Sequence, residues 1–143
     1  MSKGSEFINR WMETVNRGDV EGLVEMCQPD VELANPEGTF QGPAGVRATF
    51  EPVIAATSQR AVEIRSLIED GDWLAVDFVF RFKNSGPLAT PQATVPATGR
   101  DVSLSTIATY QLREGKLAYS RGEYDRMSLL GQLGLLPAPE AVA

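Results

Sequence analysis

Between Trp73 and Lys83 the apolar residues Leu74, Val76, Phe78, Phe80 and Phe82 fall on every second position, with Asp77, Arg81 and Lys83 between them. This period of two predicts a strand with one buried and one solvated face. It pairs naturally with residues 61–69 as an antiparallel hairpin turned at Glu69-Asp70-Gly71-Asp72. Residues 99–125 give a second, longer hairpin turned at Arg113-Glu114-Gly115-Lys116. Its first strand carries Val102, Leu104, Thr106, Ala108, Tyr110 and Leu112 on one face and Ser103, Ser105, Ile107, Thr109 and Gln111 on the other. Neither face is strongly charged, so both are expected to be covered. On the return strand Ala118, Ser120, Gly122 and Tyr124 share one side, and Leu117, Tyr119, Arg121, Glu123 and Asp125 share the opposite side. The first of these sides is small and lightly polar, as a cavity wall needs to be.

The amino-terminal half follows a helical period. Phe7, Ile8, Trp11, Met12 and Val15 form one stripe, with Ser5 as the expected cap and Asn16-Arg17-Gly18 as the stop. Asp19 is expected to cap a second helix with Val20, Leu23, Val24 and Met26 inward, ending at Gln28-Pro29-Asp30. A short strand, 31–35, closes at Pro36-Glu37-Gly38, and a third helix starts at Gly42-Pro43 with Val46, Phe50, Val53 and Ile54 inward. Residues 84–98, NSGPLATPQATVPAT, hold three prolines and no charge and are expected to form a long flexible loop, a candidate lid. A last helix runs from Arg126 to Gly134, and residues 135–143 are expected to be a loose tail. Helices gathered ahead of a run of antiparallel strands predict a single α+β domain over 1–143: a cone-shaped α+β barrel whose curved sheet wraps around the amino-terminal helices and encloses an apolar pocket.

Composition narrows what such a domain does. A net charge of -6 leaves no basic stripe for phosphates, so nucleic acid is not an expected partner. One cysteine, Cys27, placed in the second helix as a small buried hydrophobe, permits no internal disulfide and predicts a reducing, cytoplasmic setting. No apolar run approaches the about 18 residues of a membrane span. There is no histidine, which removes Ser-His triads, His-ligated metals and the usual neutral-pH proton shuttle. Neither a dinucleotide fingerprint nor a phosphate loop occurs, so no cofactor and no metal is expected.

The polar residues left as candidates are Asn35, Glu37, Trp11, Thr106, Ser120 and Tyr124, with Asp101, Glu123 and Asp125 behind them. The Asn35 amide either caps the turn before Pro36 or points into the cone as donor and acceptor. Trp11 lies on an apolar stripe, where packing is its simplest role, although a buried indole N–H needs a partner. Tyr124 has cavity-side parity and a hydroxyl. Asp101 and Asp125 read as structural, the first by strand parity and the second by its place at a helix start.

The segments FINRWMETVNRGDVEGLVEMCQPDVELANPEG, GRDVSLSTIATYQLREGKLAYSRGEYD and LLGQLGLLP together resemble the SnoaL-like polyketide cyclases. These belong to a superfamily of cone-shaped α+β folds with ketosteroid isomerase, limonene-epoxide hydrolase and nuclear transport factor. RATFEPVIAA is also similar to the polyether epoxide hydrolase/cyclases. The resemblance places Asn35 where the isomerase and the polyether enzymes hold an aspartate base, and Trp11 where the isomerase holds an oxyanion-hole tyrosine. The Asp-Arg-Asp group of limonene-epoxide hydrolase falls on Phe78, Phe80 and Gly122. The polyether enzymes' partner acid falls near Arg60, the isomerase's second oxyanion donor near Ala108, and the last-strand aspartate of SnoaL-like cyclases on Gly122.

With that machinery replaced, the expected wall is Trp11, Met12, Val15, Leu33, Asn35, Phe50, Val53, Phe78, Phe80, Leu104, Thr106, Ala108, Ser120, Gly122, Tyr124 and Leu129. It suits a long, uncharged, hydrophobic small molecule. The implied activity is a cofactor-independent polyketide cyclase of antibiotic or other secondary-metabolite biosynthesis. It would close a ring, a cycloaddition among the candidates, by holding its substrate folded, with Asn35, Tyr124 and Trp11 as hydrogen-bonding groups. Two alternatives stand beside it: an acid-base isomerase or epoxide hydrolase using Glu37, Asp101 or Glu123, and a non-catalytic binding module. The resemblance further implies a homodimer through the face that carries Ser103, Ser105, Ile107 and Thr109.

Overall fold

Helix α1 (Lys3–Arg17) opens on Ser2, whose hydroxyl accepts the Ser5 N–H at 3.0 Å. The cap is thus one turn earlier than expected, because the Ser5 hydroxyl is turned back to the Ser2 carbonyl. The structure is a computed structural model that describes residues 2–90 and 93–136. Gly18, at φ 72°, closes α1 by donating to the carbonyls of Thr14 and Val15, a conformation that costs glycine little. Asp19 then caps α2 (Val20–Glu25) by accepting the Gly22 N–H at 2.9 Å.

Here the expected boundary fails. Cys27 is not in a helix but is the first residue of strand β1 (Cys27–Asn35). The Leu117 N–H donates to the Met26 carbonyl at 2.9 Å, which starts a parallel ladder and pulls the chain out of helix before Pro29. Strand β2 (Gly38–Gln41) follows across a two-residue turn; with three of its four residues exposed it shows no alternation to read. Helix α3 (Gly42–Ala56) contains Pro52, which withholds an N–H from the preceding turn.

Strands β3 (Thr57–Asp70) and β4 (Trp73–Asn84) form the first long hairpin. The start of β3 lies four residues before its expected one. A bulge between Ser58 and Ala61, with Gln59 at φ 51°, breaks the period there. Between β4 and the second hairpin, the stretch expected to be a plain loop contains two short paired strands, β5 (Leu88–Ala89) and β6 (Thr94–Val95). Strands β7 (Asp101–Arg113) and β8 (Lys116–Tyr124) turn through Glu114 and Gly115, both at positive φ, which matches the twist of the flanking strands. Helix α4 (Arg126–Gln132) is the last element among the described residues, capped by Asp125 through the Ser128 N–H. Of the expected tail, residues 137–143 lie outside the described residues.

The six-stranded sheet has the order β2-β1-β8-β7-β4-β3, antiparallel except where β1 runs parallel to β8. It is the expected α+β architecture: the sheet curves over α1 and α3 and closes a cone. The concave face holds the core, including Ile8, Trp11, Leu23, Val31, Val46, Val76 and Tyr110. On β8 the side-chain parity reverses within the strand. Gln111 pairs with Tyr119 but Leu112 pairs with Leu117, so a bulge at Ala118 reverses the alternation. Leu117, expected outside, is fully buried in the core. Among the described residues nothing covers the convex face of β7: Ser103 and Ser105 are exposed and Ile107 is 60% exposed.

Candidate active site

The open side of the cone leads into a cavity of about 530 Å³. Every element except α2 supplies wall residues, and the inward faces of the long elements meet at the same space. Trp11, Met12 and Val15 come from α1, Leu33 and Asn35 from β1, Phe50 and Val53 from α3, and Phe78 and Phe80 from β4. Leu104, Thr106 and Ala108 come from β7, Ser120, Gly122 and Tyr124 from β8, and Leu129 from α4. All sixteen residues expected on the wall therefore meet at one cavity. At Gly122 an added Cβ would meet only the Ala108 Cβ, at 3.9 Å, so the glycine leaves real space.

Phe40, Phe82, Leu88, Val95, Leu130 and Leu133 also line it. Phe82 shared the alternation of Phe78 and Phe80 and was legible as wall; Leu88 and Val95 were not, because they belong to the 84–98 segment. That segment is fixed at its base by Asn84, which is 1% exposed. The Asn84 Nδ2 donates to the carbonyls of Ala56 and Gly86 at 3.1 and 3.0 Å, and its Oδ1 accepts the Thr98 N–H and hydroxyl at 2.8 and 2.9 Å. Gly86 passes so close to α3 that a Cβ there would stand 2.0 Å from the Ala55 carbonyl oxygen. The loop's Pro91 and Gln92 lie outside the described residues.

Among the described lining residues only Glu37 and Arg126 carry charge. They meet Tyr124 at one corner. The Tyr124 hydroxyl donates to Glu37 Oε1 at 3.3 Å, and the Arg126 guanidinium lies 3.4 Å from the same oxygen. Glu37 Oε2 is buried without a hydrogen-bond partner among the described residues. Burial, and then the negative Glu37 that accepts its proton, push the Tyr124 hydroxyl up to about 12, with Arg126 opposing. Tyr124 is therefore a neutral donor at physiological pH.

Asn35 does the local job: its Oδ1 accepts the Glu37 N–H at 2.7 Å. Since the backbone group is a donor, the atom facing it is the amide oxygen, and the Asn35 NH2 is the end left for the cavity. Trp11 is both core and wall, 3% exposed, stacked on Phe7 at 5.9 Å and edge-on to Phe50 at 5.7 Å. No other described carboxylate lines the cavity. Asp101 and Glu123 are exposed on strands, Glu123 paired with Arg121 at 3.1 Å, and Asp125 is consumed as the α4 cap. Arg60 is committed to backbone, donating to the carbonyls of Asn16 and Thr57. Among the described residues no three His, Cys, Asp or Glu side chains gather as a metal site, and no helix is long and apolar enough to cross a membrane.

The fold is similar to that of solved structures. TsrD from Streptomyces laurentii superposes with a TM-score of 0.80 at 24% identity, over 94% of this chain and 96% of that one. IdmH from Streptomyces antibioticus, described as a candidate polyketide cyclase, gives 0.75 at 24% identity over 91% and 97%. A candidate SnoaL-like polyketide cyclase from Jannaschia sp. CCS1 gives 0.81 at 16% identity over 94% and 94%. No curated protein matches the sequence significantly. The model of the SnoaL-like domain family matches residues 8–120, most of the chain, from within α1 to the middle of β8, and the chain belongs to that family.

Proposed function

We propose that the chain is a cofactor-independent polyketide cyclase that closes a ring in a hydrophobic chain held folded inside the cone. The observation that carries this reading is the wall itself: Phe78, Phe80 and Gly122 stand in an apolar cavity of about 530 Å³ with one charged corner. A volume of this order suits a ligand of drug size or larger. Confinement brings reacting atoms together and removes the entropic cost of an encounter, an effect large enough to accelerate a ring closure without an acid or base. A cycloaddition, in which no proton moves, belongs to this class. In this reading the Asn35 NH2 and the Trp11 indole N–H are donors to a substrate carbonyl, and the Tyr124 hydroxyl joins them by exchanging its bond to Glu37 for one to substrate. The description of IdmH as a candidate polyketide cyclase supports the same class of substrate.

Phe78→Asp puts a charge into the apolar wall and is expected to abolish turnover, whereas Asp101→Asn, at an exposed position, leaves it intact. The reverse pattern would overturn this reading. One observation favours an acid-base enzyme instead, namely the carboxylate of Glu37 at the cavity wall. A rate that follows a bell-shaped pH profile would favour that alternative, and a flat one the confinement mechanism.

The setting is taken to be cytoplasmic secondary metabolism, in keeping with a single buried thiol. The chain is taken to act as a homodimer through the open convex face of β7. Ile107→Lys should then convert a sedimenting dimer to monomer, and an unaltered chain that is already monomeric at micromolar concentration would contradict it.

A further inference from the structure

The Glu37 corner is built incompletely. A carboxylate offers about four acceptor sites, yet among the described residues Glu37 accepts one hydrogen bond, from the Tyr124 hydroxyl at 3.3 Å, and has one ion-pair partner, Arg126 at 3.4 Å, both on Oε1. Its Oε2 is buried with no partner among the described residues, and the side chain is 19% exposed. An unsatisfied buried carboxylate oxygen is costly, more so in apolar surroundings. The groups next to it cannot make up the deficit, because Asn35 Oδ1 already serves the turn and is itself an acceptor.

The geometry points to Glu37 as the residue that makes this cavity select apolar ligands carrying a hydroxyl group, by accepting that hydroxyl's proton in a hydrogen bond. A ketone or ether brings no donor. A carboxylate ligand would place like charge beside Glu37. An ammonium group would bring a full charge into a wall that is mostly apolar and carries no other charge, close to the Arg126 guanidinium. A neutral hydroxyl meets neither objection. The selection rests on the cavity being the substrate site, and it adds a chemical requirement to the substrate: an apolar body with a hydroxyl at one end.

The test is calorimetric titration of the full chain with 2-naphthol and with 2-methoxynaphthalene, which keeps the ring and the oxygen but loses the donor. The expected result is 2-naphthol binding at least about tenfold tighter, as a hydrogen bond to a charged group warrants. In Glu37→Leu the preference should disappear while 2-methoxynaphthalene still binds. If Glu37→Leu does not fold, Glu37→Gln, which keeps the shape and loses the charge, should reduce the preference. Equal binding of the two probes by the unaltered chain would overturn the role of Glu37 and leave the apolar cavity standing, as would a preference undiminished in the variants. Binding of neither probe would overturn both.

Discussion

Thr98 gives both its backbone N–H and its hydroxyl to one atom, the Oδ1 of Asn84, at 2.8 and 2.9 Å. The fifteen-residue segment 84–98 is closed by that pair. The other end of the amide ties the closure to the last turn of α3 through the Ala56 carbonyl at 3.1 Å. The proline-rich segment therefore leaves the sheet from a fixed base and lays Leu88 and Val95 against the cavity. Asn84→Ala is expected to cost roughly 2 to 4 kcal/mol, since it removes several hydrogen bonds and strands buried partners. Thr98→Val, which keeps the backbone N–H, should cost about 1 kcal/mol. Chemical denaturation measures both; an Asn84→Ala chain as stable as the original would show that the loop closes without the amide.

Gly122 separates the needs of the fold from those of the site. An added Cβ meets only Ala108, at the ordinary contact distance of 3.9 Å, and the backbone has no positive φ. Gly122→Leu should therefore keep a melting temperature close to that of the original and lose affinity for 2-methoxynaphthalene, because its side chain grows into the cavity. A variant that melts much earlier would mean that the space beside Gly122 is core and not site.

The thiol of Cys27 is 6% exposed, and burial pushes it up to about 12 from its usual 9, with Lys116 opposing. Between those values the unfolded chain releases the proton while the folded chain keeps it. The folded chain then binds more protons, so the stability linked to this group is complete below pH 9 and falls as pH rises towards 12. Tyr124 adds the same trend between 10 and about 12. Stability measured near pH 8 and again near pH 10.5 should decline less in Cys27→Ala than in the original chain. An equal decline would assign the alkaline loss to other groups.

The sequence was most legible where one physical rule acted alone. The alternation at Leu74, Val76, Phe78, Phe80 and Phe82 had only burial to report, and these residues do form the inner face of β4. The stripe from Phe7 to Val15 was equally plain. Legibility failed where a distant strand decided the local geometry. Cys27 follows a helix in sequence but pairs with Leu117 ninety residues later, and the bulge at Ala118 turns Leu117 inward against the apparent parity. Glu37 stood in a Pro-Gly turn, where a carboxylate is normally solvated. Only the return of Tyr124 and Arg126 to that turn sets it at the cavity. The role of Asn84 was hidden for the same reason, since none of its partners forms a motif.

The central claim is that this cavity rearranges a hydrophobic chain without adding or removing atoms. Its most direct test is mass spectrometry of extracts from a producing strain that lacks the gene, incubated with and without the purified protein and with no cofactor added. The account predicts a new product of unchanged mass, formed by the original chain and not by Phe78→Asp. A product heavier by one water, or no change in any extract, would contradict it.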